Sequence, residues 1–266
     1  MTDAQRPKLI LVTGASGGIG EAFAQILAAE GHALVLVARN ERELHRVKGV
    51  LAARNSVPIA ALPCDLSRPD AVDQLARDLD MRGLIPDIVI NNAGFGLMGK
   101  AAAVSRTDQL NMIDLNIRAL TDLTLRFLPG MIASGQGGIL NVASVAGFMP
   151  GPNMAVYFAT KAFVISFSDA LAAEVRNTGV TITSLCPGPV DTGFQARAGM
   201  KDARTMTASS PPNARAIAQE GWDGFKDGRR TVIPGVKNKI MAYGLRGAPR
   251  HIILPFISRA MARART

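Results

Sequence analysis

Aromatic side chains are scarce in this chain, at 5% of residues with one tryptophan and two tyrosines. A nucleic-acid groove needs bases interleaved with stacking rings, so that class of partner is not expected. Cysteine is scarcer still, Cys64 and Cys186 alone. Two distant cysteines exclude a disulfide framework and make a reducing cytoplasm the expected setting. The three histidines, His32, His45 and His251, are scattered, and no ligand cluster suggests a metal. No uninterrupted apolar run reaches the ~18 residues of a membrane span. Met1 to Lys8 is polar and leads directly into a strand, so no secretory signal is expected. Acidic residues are missing from Arg229 to Thr266, where nine bases stand alone. Those nine account for the whole formal charge of +9, and the remaining bases balance the 21 acids. The chain is therefore a neutral body with a basic end.

What is present points to one α/β domain: 266 residues, 48% hydrophobic, are enough for a large core. Lys8–Val12 reads as a strand that ends in Thr13-Gly14-Ala15-Ser16-Gly17-Gly18-Ile19-Gly20, followed by a helical pattern that closes at Gly31. Glycines between a strand and a helix let the backbone approach a pyrophosphate, and the helix start offers unpaired N–H groups. The spacing is Gly14-x3-Gly18-x-Gly20 rather than the commoner G-x-G-x-x-G, and an ordinary tight turn is the plainer alternative. Ala33–Ala38 is a second strand, followed by Arg39. Dinucleotide folds place an acid near this point to hold ribose hydroxyls. A guanidinium can instead grip a 2′-phosphate, which favours NADP(H) over NAD(H), unless Arg39 merely opens the Asn40–Arg54 helix in solvent.

Further strands are predicted at Pro58–Leu62, Asp87–Ile90, Gly138–Val142, Val180–Cys186 and Arg230–Pro234. Helices alternate with them: Pro69–Met81 with Ser67 as its cap, a long region over Thr107–Ile132, Ala155–Arg176, and Asn213–Lys226. Such alternation argues for a Rossmann-type, doubly wound parallel sheet of about seven strands. Ligands then bind beyond the carboxyl ends of the strands, where 13–20, 38–39, 65–66, 91–94, 144 and 187–192 all fall. Gly193–Pro212 lacks periodicity and reads as a substrate lid.

Tyr157 and Lys161 are four apart within one predicted helix, so phenol and ammonium share a face about 6 Å apart along the axis. At an effective dielectric of ~20, an ammonium about 5 Å away contributes roughly 3 kcal/mol and lowers the phenol pKa by about two units. That would make Tyr157 a general acid/base near neutral pH.

With these segments assembled, the sequence resembles the short-chain dehydrogenases/reductases over about residues 8 to 234. Thr13-Gly14-x3-Gly18-x-Gly20 matches that family's glycine motif, Asn91-Asn92-Ala93-Gly94 its sheet-stabilising motif, and Asp65, followed by Leu66, its adenine contact. Asn116, Ser144, Tyr157 and Lys161 match its catalytic tetrad in order. Pro187-Gly188, Val190 and Thr192 match the segment that touches the nicotinamide. Arg39 looks like the NADP-preferring type, although the base often found before the second glycine is Gly17 here. Residues 8 to 60 and the basic end look similar to bacterial DltE-like members. The resemblance implies hydride transfer between NADP(H) and a ketone, aldehyde or secondary alcohol. In it Tyr157 protonates the carbonyl oxygen and Ser144 positions that oxygen. Lys161 tunes the tyrosine and grips the ribose, and Asn116 holds a relay water. It also implies a homodimer or homotetramer formed through Thr121–Ile132 and Ala155–Arg176.

Other readings are a cofactor-binding regulatory protein without turnover, or an epimerase or dehydratase on a related fold. A hydrolase is disfavoured because no G-x-S-x-G elbow surrounds Ser144. Phe95, Met98, Phe148, Met149, Phe194 and Met206 suggest an apolar, adaptable substrate pocket. Residues 1–234 form the expected domain and 235–266 a basic extension. In that extension His251–Ile257 with Arg259, Arg263 and Arg265 is either an interfacial membrane segment or a wall docked on a subunit or substrate pocket. Pro249 and Pro255 are expected to prevent one long helix there.

Overall fold

The computed structural model describes residues 7–190, 198, 213–247 and 250–263. Seven strands form one sheet in the order β3-β2-β1-β4-β5-β6-β7, every neighbouring pair parallel. They are β1 (Leu9–Thr13), β2 (Ala33–Ala38), β3 (Ile59–Pro63), β4 (Ile88–Asn91), β5 (Gly138–Val142), β6 (Thr181–Leu185) and β7 (Thr231–Val232). The expected strands are all present, most displaced by a residue or two at their ends.

The central strands are apolar on both faces because helices cover both. Ile10, Val12, Leu34, Leu36 and Ile90 join Phe23 and Leu27 of α1 (Gly18–Ala29), Leu44 of α2 (Glu41–Ala52), and Trp222 and Phe225 of the later helix Ala214–Lys226. The alternate residues Leu11, Val35, Val37, Val89 and Ile139 face the opposite layer. There they meet Leu75 and Leu79 of α3 (Ala71–Met81), Leu123 of a helix over Leu120–Ser134, and Leu171 of a helix over Ala155–Glu174. Each fully buried branched side chain contributes roughly 1.5–3 kcal/mol.

Two local expectations are corrected, and a third, that no single long helix spans the end of the chain, holds although Pro255 does not interrupt its helix. Ser67 does not cap α3. Its hydroxyl donates to Asp65 Oδ1 at 2.7 Å and its own N–H donates to the same oxygen at 3.2 Å. A closer acceptor two residues back wins over the helix end, and α3 begins only after Asp70. The long helix over 107–132 is interrupted: α4 (Arg106–Ile113) passes through a π turn at Asp114–Ala119 into α5 (Leu120–Ser134). Single π turns inside helices recur at functional sites, and this one contains Asn116. Toward the carboxyl end, after α6 (Ala155–Glu174) and α7 (Ala214–Lys226), come α8 (Val236–Gly247) and α9 (Arg250–Arg263). Pro255 lies inside α9, where its missing N–H removes one backbone bond without ending the helix.

By length and composition α6 is apolar enough to cross a bilayer, at mean hydropathy 1.3. It packs on β5 and β6 with Val164 fully buried and carries Tyr157, Lys161 and Ser168 inside. The described residues after 234 dock on the body. Ala242 of α8 is buried with Val145, Val164 and Cys186, and Ile257 and Met261 of α9 are buried with Tyr157 and Phe158.

Candidate active site

The first functional turn follows β1 at the point where strand order reverses, between β1 and β4, the crevice in which such sheets take ligands. Gly14 has φ +66°, and a Cβ on Gly20 would lie 2.3 Å from the Gly14 carbonyl oxygen, so neither position accepts a larger residue without the turn moving. Thr13 and Asn92 lock that turn to the end of β4. Thr13 Oγ1 accepts from the N–H groups of Asn92 and Ala93, both at 2.9 Å, and Asn92 Nδ2 donates to the Thr13 carbonyl at 2.9 Å. These two of the expected cofactor residues therefore act through the backbone they fix.

Gly17 begins α1 with no side-chain cap, and a Cβ there would meet nothing within 4 Å. Ser16, Gly17, Gly18 and Ile19 are all partly exposed, so the start of this 12-residue helix is open to solvent. Glu21, the acid in that first turn, is held by Arg46 at 2.9 Å. An anionic pyrophosphate fits this cradle. Arg39 is exposed directly after β2. Asp65 is half-buried after β3, whereas the Leu66 side chain is buried in the core beside Val35 and Val37, leaving only its backbone to meet a ligand.

The catalytic candidates come together at the carboxyl ends of β4 and β5. Ser144 follows β5 as the cap of a short 3₁₀ turn (Val145–Phe148). Its Oγ accepts from the Ala146 N–H at 3.1 Å and donates to the Pro187 carbonyl at 3.4 Å. The same hydroxyl is hydrogen-bonded to the Tyr157 side chain. One turn along α6, Lys161 donates to the Val142 carbonyl at 2.7 Å, and its Nζ lies 5.9 Å from the centre of the Tyr157 ring. Asn116 is 1% exposed. Its Oδ1 accepts from the Phe95 N–H at 3.1 Å, and its Nδ2 donates to the Phe95 carbonyl at 2.9 Å and to Thr160 Oγ1 at 3.1 Å. Both amide donors are thereby engaged. The side chain clamps the Gly94–Phe95 backbone against α6 and has no N–H to spare for a relay water. A Cβ on Gly94 would come within 3.0 Å of Asn116 Oδ1 and 3.6 Å of Lys161 Nζ, so Gly94 leaves the space beside the amine clear.

The electrostatics reverse one expectation. Burial pushes the Tyr157 hydroxyl up to about 12, with the Ser144 hydrogen bond opposing, and brings the Lys161 amine down to about 8. Burial of both groups, at 9% and 6% exposure, sets both directions in place of the predicted lowering by a nearby ammonium. Tyr157 is thus a protonated phenol at neutral pH.

Met112, Met154, Phe158, Ile257 and Met261 surround Tyr157 together with Phe95, Met98 and Met149. Phe148 belongs to the neighbouring cluster under α8. Thr192, Phe194, Met206 and the expected lid, apart from Ala198, lie outside the described residues. Ala198 is buried, and its carbonyl accepts from the Met98 N–H at 2.9 Å. Pro187 supplies its carbonyl to the Val145 N–H at 2.9 Å. Gly188 abuts α8, where a Cβ would meet the Asn238 side chain at 2.6 Å, and Val190 is buried.

Sequence reasoning missed a buried polar chain behind the site. Asn91 Nδ2 donates to Thr124 Oγ1 at 3.1 Å and to Asn141 Oδ1 at 2.9 Å, and Asn141 Nδ2 donates to Ser168 Oγ at 2.9 Å. It ties β4, β5, α5 and α6 together, three residues before Ser144. The signal was an asparagine inside the apolar strand Gly138–Val142, a position that demands partners.

The family model for short chain dehydrogenases matches residues 8–203. The chain is 38% identical over 214 residues to an uncharacterized oxidoreductase of Staphylococcus epidermidis, covering 80% of this chain and 91% of that one. Its fold is similar to a short-chain dehydrogenase from Sphingobium yanoikuyae solved with NADPH, at TM-score 0.82 and 32% identity, covering 94% and 96% of the two chains. It is similar also to a short-chain dehydrogenase/reductase from Burkholderia phymatum solved with NAD, at TM-score 0.79 and 27% identity, covering 95% and 96%.

Proposed function

The chain belongs to the short-chain dehydrogenase/reductase family, and from that premise we propose that it is an NADP(H)-dependent oxidoreductase of apolar ketones, aldehydes or secondary alcohols. The observation that carries this reading is the Tyr157 hydroxyl bonded to Ser144, with the Lys161 amine one turn away and the open glycine turn at the end of β1. A bound nicotinamide would supply the hydride to the carbonyl carbon or take it from an alcohol.

The chain's own residues do the rest. In reduction Tyr157 gives its proton to the carbonyl oxygen while Ser144 Oγ, anchored by the Ala146 amide, would turn its O–H from the Pro187 carbonyl to that oxygen. Lys161, with a pKa near 8, is mostly protonated at neutral pH. It faces the phenolate that forms and stabilises it by charge. Asn116 is a positioning residue that fixes Gly94 and Phe95 beside Lys161. The first amides of α1 would take the pyrophosphate, and Arg39 the 2′-phosphate that distinguishes NADP(H). Methionine and phenylalanine around Tyr157 favour a substrate with a bulky apolar group next to its carbonyl.

The exposed Leu125 of α5, with Phe163 stacked on Phe167 of α6, supports pairing of subunits through those two helices. The test of the reaction is a carbonyl and alcohol panel read by absorbance of the reduced cofactor, with NADPH and NADH in parallel. Oxidation of NADPH by apolar ketones or aldehydes is expected. Binding of the cofactor without oxidation across the panel would favour a regulatory protein instead.

A further inference from the structure

In the basic end Ile257 and Met261 of α9 are turned into the substrate-side cluster beside Tyr157. The free face lies one helix earlier. On α8, Val236 is 71% exposed, Ile240 69% and Tyr243 58%. Spaced four and three apart, they form one stripe along the helix. The opposite side is committed to the body: Ala242 is fully buried, and Asn238 caps back to the Pro234 carbonyl at 2.7 Å and abuts Gly188. At 100° per residue, Lys237 and Lys239 fall on either flank of the stripe. Both are exposed, and among the described residues neither enters an ion pair. No acid occurs from Arg229 to the end of the chain.

We propose that this face of α8 docks on an anionic membrane surface. Val236, Ile240 and Tyr243 would enter the headgroup boundary, and Lys237 and Lys239 would lie against lipid phosphates. An apolar stripe edged by lysines is the pattern of helices that lie in the interface plane, and each base near such a surface strengthens attachment severalfold. A second copy of the chain is the poorer occupant. A two-fold contact sets the same patch against itself, so each lysine edge would meet another with no acid between. The proposal is independent of turnover, since it concerns binding alone. It would also bring the apolar pocket, walled by the adjacent α9, near a lipid phase.

The test is sedimentation of the full chain with vesicles of pure phosphatidylcholine and with vesicles containing about a quarter phosphatidylglycerol, at low and physiological salt. Binding to the anionic vesicles is expected, weakened by salt. Ile240→Asp with Tyr243→Asp is expected to lower the partition coefficient at least tenfold, and Lys237→Glu with Lys239→Glu by roughly tenfold or more on anionic vesicles. Retained NADPH binding shows that each variant is folded. Absence of binding to anionic vesicles, or unchanged binding by the aspartate variant, would overturn the proposal. So would a fall in oligomer mass in the aspartate variant without any vesicle binding by the parent, which would assign the face to a second copy.

Discussion

Replacing Lys161 with methionine is expected to yield a protein that is more stable and inactive. Burial lowers the amine from its usual 10.5 to about 8. At roughly 1.4 kcal/mol per unit, keeping the ammonium inside at neutral pH costs about 3 kcal/mol. Methionine fills similar space without charge. It gives up the 2.7 Å bond to the Val142 carbonyl, a loss of roughly 1 kcal/mol. The net gain is about 2 kcal/mol, or a Tm higher by about 4–8 °C in a domain of this size.

The sign can be checked against pH. Between 8 and 10.5 the unfolded chain holds a proton that the folded chain has released, so this lysine's contribution to wild-type stability rises with pH, by about 1 kcal/mol from pH 7 to 9. From about pH 8 the Cys64 and Cys186 thiols, pushed up to about 11 and about 12, pull the other way, and the Tyr157 hydroxyl, at about 12, follows above pH 9. Those groups are common to parent and variant, so the difference between the two in urea unfolding at several pH values up to 9 isolates the lysine. The variant should lack the rise. A Lys161→Met protein less stable than its parent, or a stability gap between the two that does not narrow toward pH 9, would refute the electrostatic account.

Three further changes separate cofactor contacts from scaffold. Arg39→Ala should raise KM for NADPH by roughly 10–100-fold, the worth of a charged hydrogen bond, while KM for NADH moves little; equal effects on both would remove Arg39 from the 2′-phosphate. Gly17→Ala should leave urea stability within ~0.5 kcal/mol, since its backbone is extended and its Cβ meets open space. It should also weaken NADPH binding, by at least about tenfold in a fluorescence titration, and unchanged binding would place the pyrophosphate elsewhere. Asn116→Ala should destabilise by roughly 2–4 kcal/mol, because the Phe95 N–H and carbonyl lose their partners. A loss under ~0.5 kcal/mol in chemical denaturation would show the clamp to be dispensable.

The sheet was legible because its strands are short apolar runs closed by glycine, proline or polar residues, and their alternation with helices dictates parallel pairing. Much of the site was legible for the same reason: the glycine turn, Asn91–Gly94, Ser144 and Pro187-Gly188 sit where strands end, and the fold gathers those ends. Periodicity could not show the π turn around Asn116, since it changes backbone pairing without changing residue pattern. Nor could spacing show burial. Tyr157 and Lys161 share a face as the helix period requires, yet the direction of their pKa values follows from what α9 and the methionines cover. The inward turn of Ile257 and Met261 is a tertiary choice that the apolar run His251–Ile257 left open between a surface and a pocket wall. Ser67 misled because a capping serine and a turn serine look alike until Asp65, two residues back, is seen to take its hydroxyl.

The most direct measurement is Tyr157→Phe, titrated with NADPH by fluorescence and then followed for NADPH oxidation with the best ketone of the panel. The account predicts cofactor affinity within about threefold of the parent and turnover lower by roughly 10²–10⁴-fold, the usual worth of a positioned general acid. Turnover near that of the parent in this variant would contradict it.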